Sequence, residues 1–160
     1  MVACERDKNT ISFLPKIDFL GIYQIGSGFG YDSIVRIDVK YGDGDGDIGL
    51  DSNYNFYPFG IKDPAYFNLL IYYQHKKGGI WTYPINPLLI PPDTLVLHQR
   101  IPVITPSGRS KAIQGEISIA LPARPFSYRG DSVRYRIQLI DRALHRSDII
   151  LTQSIWLEHP

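Results

Sequence analysis

In three separate stretches of this chain the side chains switch character at every step, and a period of two is satisfied only by extended strands. From Ser33 to Tyr41, residues Val35, Ile37, Val39 and Tyr41 share one face, while Arg36, Asp38 and Lys40 share the other. The same alternation sets Ile113, Ile117, Ile119 and Leu121 against Gln114, Glu116 and Ser118. It returns in Val133, Tyr135, Ile137 and Leu139, set against Arg134, Arg136 and Gln138. Each stretch therefore needs a second layer over its apolar face and water over the other. Tyr66 to Tyr73 is apolar on both faces, as expected of a central strand. Lys76-Lys77-Gly78-Gly79 predicts a hairpin turn into a strand over Ile80 to Ile85. Further strands are expected at Ile17 to Ile25, Thr94 to Ile104 and Ile149 to Leu157.

No window keeps a helical period beyond a turn or two. Pro84, Pro87, Pro91 and Pro92 mark a rigid, extended connection, because proline fixes its own φ and donates no hydrogen bond. With 12 prolines, 14 glycines and 11 tyrosines among 160 residues, the composition also favours short strands joined by turns. The expected fold is all-β, a single antiparallel β-sandwich with an immunoglobulin-like arrangement. A closed β-barrel is the alternative, since alternation alone does not fix closure. The length suits one domain, residues 16–160, preceded by a flexible tether over residues 1–15.

The net charge of +1 supplies no global field for nucleic acid or an anionic membrane. The single cysteine, Cys4, allows no internal disulfide and no four-thiolate metal site. His75, His98, His145 and His159 show no zinc-ligand spacing. No G-x-S-x-G elbow is present, and no spacing singles out a carboxylate pair such as Glu116 with Asp141 for acid–base work. Gly26-Ser27-Gly28-Phe29-Gly30 precedes a strand, whereas a phosphate loop precedes a helix, so an inter-strand loop is expected. The reading is of a protein that is not an enzyme.

The sharpest chemistry lies in Y-G-D-G-D-G-D-I-G-L-D-S-N, from Tyr41 to Asn53. Asp43, Asp45, Asp47 and Asp51 are crowded together and spaced by glycines, so their charges repel and the chain loses much entropy on ordering. A hard cation, foremost Ca²⁺, reverses both penalties. On the EF-hand register Asp43, Asp45 and Asp47 take positions one, three and five, the Gly49 carbonyl takes seven and Asp51 takes nine. Ile48 stands where the turn glycine belongs and Tyr54 where the bidentate glutamate belongs, so this is no EF-hand. The missing ligand would come from Asp32, Asp38 or Asp141. The competing reading is a solvated acidic loop made of turn-forming residues and holding no ion.

Two stretches carry a family likeness. One is the strand Ile34 to Tyr41 running into D-G-D-G-D-I-G-L; the other is S-V-R-Y-R-I-Q-L-I-D-R-A-L-H-R-S-D, from Ser132 to Asp148. Together they resemble the uncharacterised envelope lipoproteins common in Bacteroidetes. The second stretch also resembles the last hairpin of bacterial immunoglobulin-like and cadherin-like domains, although Leu144 and His145 replace the usual Gly-Asn after Ala143. Met1-Val2-Ala3-Cys4 resembles the end of a bacterial lipobox, where the cysteine carries the lipid. The likeness implies lipidation at Cys4 and anchoring to the outer membrane of a bacterial envelope, and it assigns no activity.

Two surfaces suggest partners. The tyrosine-rich stretch with Tyr54, Tyr57 and Phe59 would stack on a glycan or anchor a peptide if exposed, and would fill the core if not. Arg134 and Arg136 share a strand face on which a phosphate or acidic glycan could dock, unless that face is simply solvated. The functional expectation is a structural or interaction module of the cell envelope, stabilised by calcium, acting on an unknown envelope protein or glycan. The alternative is a dedicated glycan- or peptide-binding module.

Overall fold

The computed structural model describes residues 12–104, 111–125 and 132–158. Cys4, and with it the expected lipidation, and His159 lie outside that set.

The first two strands, β1 (Lys16–Gly26) and β2 (Asp32–Asp43), form a hairpin, and β2 also pairs with β7 (Ile113–Pro122) to give a three-stranded antiparallel sheet in the order β1-β2-β7. The second sheet is built on β3 (Leu69–Lys77), β4 (Ile80–Thr82) and β8 (Ser132–Leu139), and is closed by β9 (Ile150–Leu151) and β10 (Ile155–Trp156). Its order is β10-β8-β3-β4, with β9 also pairing to β8. A small hairpin, β5 (Ile85–Asn86) with β6 (Asp93–Thr94), stands apart from both. Every strand pair is antiparallel, and the described residues contain no α-helix. The chain is thus all-β, as the alternation requires.

Alternation also decides what each sheet buries. Val35, Ile37 and Val39 of β2 are fully buried while Arg36 and Lys40 point outward. On β8, Val133, Tyr135, Ile137 and Leu139 have no exposed surface, and Arg134, Arg136 and Gln138 face away. These residues join Ile71 and Tyr73 of β3 and Ile119 and Leu121 of β7 in one apolar cluster. Two sheets sharing one core is consistent with a β-sandwich. Each fully buried aliphatic side chain contributes about 1.5–3 kcal/mol, so this cluster is the main source of stability.

Several segments depart from the expected strands. The central strand begins at Leu69, not Tyr66, because the Asn68 side chain binds both main-chain groups of Ile101 and fixes the entry to the strand. It runs on to Lys77, and the turn is only Gly78-Gly79, both at positive φ, the conformation a two-residue hairpin demands. Strand β4 stops at Thr82, two residues before Pro84. Thr94 to Ile104 is not a continuous strand. It is the resumption of the same sheet edge, with Val96 bridged to Tyr72 and Gln99 to Leu69, after the excursion that carries β5 and β6. Ile149 to Leu157 is likewise broken into β9 and β10, between which Thr152 caps Tyr135 through its hydroxyl.

Candidate metal centre

The aspartate loop leaves the end of β2 and crosses to the second sheet. Asp43 is the last residue of the strand and is completely buried. Gly46, at φ 70°, turns the chain so that the Asp47 N–H donates to Asp43 Oδ2 at 2.8 Å. Asp47 then reaches the turn after β8, where its Oδ2 accepts from the Ala143 N–H at 3.0 Å. In that turn Asp141 is buried, accepting from the His145 N–H at 2.7 Å and meeting the His145 Nδ1 at 2.9 Å. Leu144 sits at φ 69°, a left-handed position that Gly or Asn would hold at lower cost.

This crossing brings Asp43, Asp47 and Asp141 together, with one carboxylate oxygen from each inside 4.8 Å of the others. Backbone N–H groups satisfy only part of the set. Asp43 Oδ1, Asp45 Oδ1 and Asp47 Oδ1 are all buried and have no hydrogen-bond partner. Buried acceptors left in that state cost about 1–3 kcal/mol each, more when charged. Burial accordingly pushes the Asp43 carboxyl up to about 6, against the pull of the Asp47 N–H and with further push from Asp45, Asp47 and Asp141. Asp47 is also raised, first by burial and then by Asp141 and Asp45, while Arg142 opposes the rise. Orphaned oxygens on a converging all-oxygen donor set fit a hard divalent cation. A buried Asp43–Asp47–Asp141 cluster of this kind could hold one.

The expected ligands divide accordingly. Asp43 and Asp47 converge, Asp45 stands close enough for its charge to raise both, and of the three candidates for the missing ligand the cluster takes Asp141. Asp38 instead faces Arg36 at 3.4 Å, and Asp32 accepts from Gln24 and the Glu158 N–H at the hairpin end of β2. Asp51 turns back on its own loop, accepting from the Asn53 N–H at 2.8 Å. The Gly49 carbonyl accepts from the Arg142 guanidinium at 3.1 Å. Gly49 has a different purpose: it sits at φ 102° with the Pro102–Val103 backbone packed where a Cβ would be. Ile48, the residue that breaks the EF-hand pattern, is fully buried in the main core.

Two arginines organise the loop, and no pattern in the sequence announces either role. Arg142 donates to the carbonyls of Ile48 and Gly49 and lies 5.6 Å from the centre of the Tyr54 ring. Arg100 donates to four carbonyls, those of Asp51, Tyr54, Phe59 and Tyr66, at 2.7–3.1 Å. It gathers residues 51–66 around one guanidinium. The aromatic stretch is split as a result. Phe59 is buried with Leu50 and Ala65, Tyr54 packs against that cluster, and Tyr57 remains 76% exposed.

No family model, curated protein or solved structure matches this chain.

Proposed function

We propose that this protein is a non-enzymatic module of a bacterial cell envelope, an immunoglobulin-like sandwich fastened at one end by calcium and tethered through a lipid on Cys4. The observation that carries the reading is the trio of buried, partnerless carboxylate oxygens on Asp43, Asp45 and Asp47. Asp43 and Asp47 converge with Asp141 of the turn after β8, so an ion there would tie the first sheet to the second. The cage of Asp43, Asp47 and Asp141, with Asp45 adding charge beside it, leaves further coordination to water, which suits the weak extracellular class of calcium site, with Kd on the order of 10⁻⁴ to 10⁻³ M.

The strand order supports the immunoglobulin-like reading. In chain order β1, β2 and β7 correspond to strands A, B and E, and β3, β4, β8 and the broken β9–β10 correspond to C, C′, F and G. The pairing A-B-E against G-F-C-C′ is the one such a sandwich uses. Ser12 accepts from the Gly44 N–H at 2.8 Å, so the chain arrives from its N-terminal segment beside the aspartate loop. A tether at Cys4 would hold the calcium end toward the membrane.

Anchoring is tested by expression from the native gene in a Gram-negative host. The protein is expected in the detergent-soluble membrane fraction, labelled by a fatty-acid analogue, and Cys4→Ser should release it. An unlabelled protein, or a variant that stays with the membrane, would refute the tether. Calcium is tested by the melting temperature, which should rise between excess EGTA and millimolar calcium.

A further inference from the structure

Away from the aspartate loop, the outward face of the five-stranded sheet carries a groove of about 640 Å³. Its floor is the register pair Tyr72 and Arg136 on β3 and β8, beside Gln138. The edge of the sheet supplies His98, and the β5–β6 excursion supplies Tyr83 and Asp93 as a wall. The volume is in the ordinary range for a ligand site.

The chemistry of the groove is mixed in an informative way. Arg136 donates to the Tyr83 hydroxyl at 2.8 Å, a bond that fixes the guanidinium and leaves most of its donors unused. Among the described residues no carboxylate lies within 4.0 Å of Arg136 or of Arg134, its neighbour on the same face. Arg134 is instead stacked on Trp81, 4.2 Å from the ring centre, and donates to Gln74. The face therefore presents positive charge held in place by aromatic side chains, with no carboxylate among the described residues paired to it. His98 is fixed edge-on to Tyr72, with ring centres 4.9 Å apart, and by the Ile71 N–H at 2.9 Å. Burial pushes its pKa below the ordinary histidine value. Asp93 takes one bond from the Thr94 N–H and lines the groove as an acceptor.

We infer that this groove binds a carboxylated saccharide. Each part of such a ligand meets a group suited to it. The sugar carboxylate meets the fixed guanidinium of Arg136, for which a bidentate, charge-assisted pair is the preferred geometry. The C–H face of the pyranose ring lies on Tyr72 or Tyr83, since aromatic rings present a broad apolar face with polar surroundings. Ring hydroxyls donate to Asp93 and exchange bonds with Gln138. An acidic peptide would satisfy Arg136 but offers neither the ring face nor the row of hydroxyls. The site is separate from the calcium cage and from Tyr54, Tyr57 and Phe59, and the inference does not rest on either.

Titration calorimetry at fixed calcium concentration tests it, with hyaluronan hexasaccharide and sialyllactose as acidic probes. Chitohexaose and lactose serve as uncharged counterparts, and hexaglutamate as the peptide control. At least one acidic sugar should bind and its uncharged counterpart should not. Arg136→Gln should weaken that binding by about 10- to 100-fold, the range for losing hydrogen bonds to a charged group. Tyr83→Phe should weaken it less, by loosening the guanidinium while leaving its charge. An unchanged melting temperature for Arg136→Gln shows that the loss is local. Silence with both acidic sugars, equal binding of the uncharged ones, tighter binding of hexaglutamate, or indifference to Arg136→Gln would each overturn the inference.

Discussion

Moving the protein from excess EGTA into 10 mM calcium should raise its melting temperature, and the size of the rise follows from the cage. An ion held by carboxylates that converge only on folding would bind the native state alone, and its effect would be RT ln(1 + [Ca²⁺]/Kd). With Kd on the order of 10⁻⁴ to 10⁻³ M, that is about 1.4–2.7 kcal/mol. A domain of this length gains roughly 2–4 °C per kcal/mol, so the expected shift is about 3–10 °C by calorimetry or circular dichroism. Magnesium at the same concentration should do less, because its strict octahedral shell suits loop carboxylates poorly. The decisive variant is Asp43→Asn. It keeps an acceptor for the Asp47 N–H, yet removes the charge from a buried carboxyl whose Oδ1 has no hydrogen-bond partner. In EGTA it should melt at or above the parent, and the calcium response should vanish. A parent that melts at the same temperature with and without calcium, or an Asp43→Asn variant that keeps the full shift, would refute the reasoning.

Two further outcomes are expected. In EGTA, stability should rise as the pH falls from above 6 toward 4, which is the reverse of ordinary acid denaturation. The sign follows from Asp43: its folded value of about 6 exceeds the ordinary 3.8, so its contribution is full below 3.8 and lost as pH rises through 6. Urea denaturation across that window should show the trend in EGTA, and saturating calcium should flatten or invert it; a flat EGTA profile would contradict the burial of the Asp43 charge. Arg100→Ala should destabilise the protein by about 2–4 kcal/mol, since four main-chain carbonyls lose a charged donor at once. Limited proteolysis of that variant should cut first within residues 51–66, and Arg100→Lys should restore only part of the loss.

How much of this was legible depends on the range of the interaction concerned. The alternation in β2, β7 and β8 needs only a chain and its two faces, so those strands could be read from the sequence. The edge that runs from Ile80 to Gln99 could not, because its pairing is interrupted by the β5–β6 excursion and resumes at Val96 and Gln99. Asp43, Asp45 and Asp47 were visible because proximity in sequence forces proximity in space. Asp141 could only be named as one of three, since nothing local says that the turn after β8 folds onto the loop after β2. Asp51 and Gly49 fit a register but were claimed by other partners: an Asx turn, and the guanidinium of Arg142. Arg100 and Arg142 were invisible for a different reason. Both act on main-chain carbonyls, which every residue carries, so no side-chain pattern marks them.

The arginines also explain why the loop can be ordered before any ion arrives. From Gly44 to Asn68 the chain contains no strand, and its carbonyls must find donors elsewhere. Arg142 takes two of them and Arg100 takes four. The carboxylates are treated the same way. Asp43 and Asp47 each have one oxygen held by a backbone N–H, and Asp141 has both oxygens engaged with His145. What remains is one oxygen apiece on Asp43, Asp45 and Asp47, too little to unfold the domain and enough to weaken it. Calcium bound in this arrangement would adjust the stability of a loop that other groups have already shaped. It follows that the chain should fold in EGTA and gain rigidity on binding, with slower amide exchange at Asp47, Ala143 and His145, the three N–H groups that clasp the cage. A chain that is unfolded in EGTA would show that the arginines do not suffice.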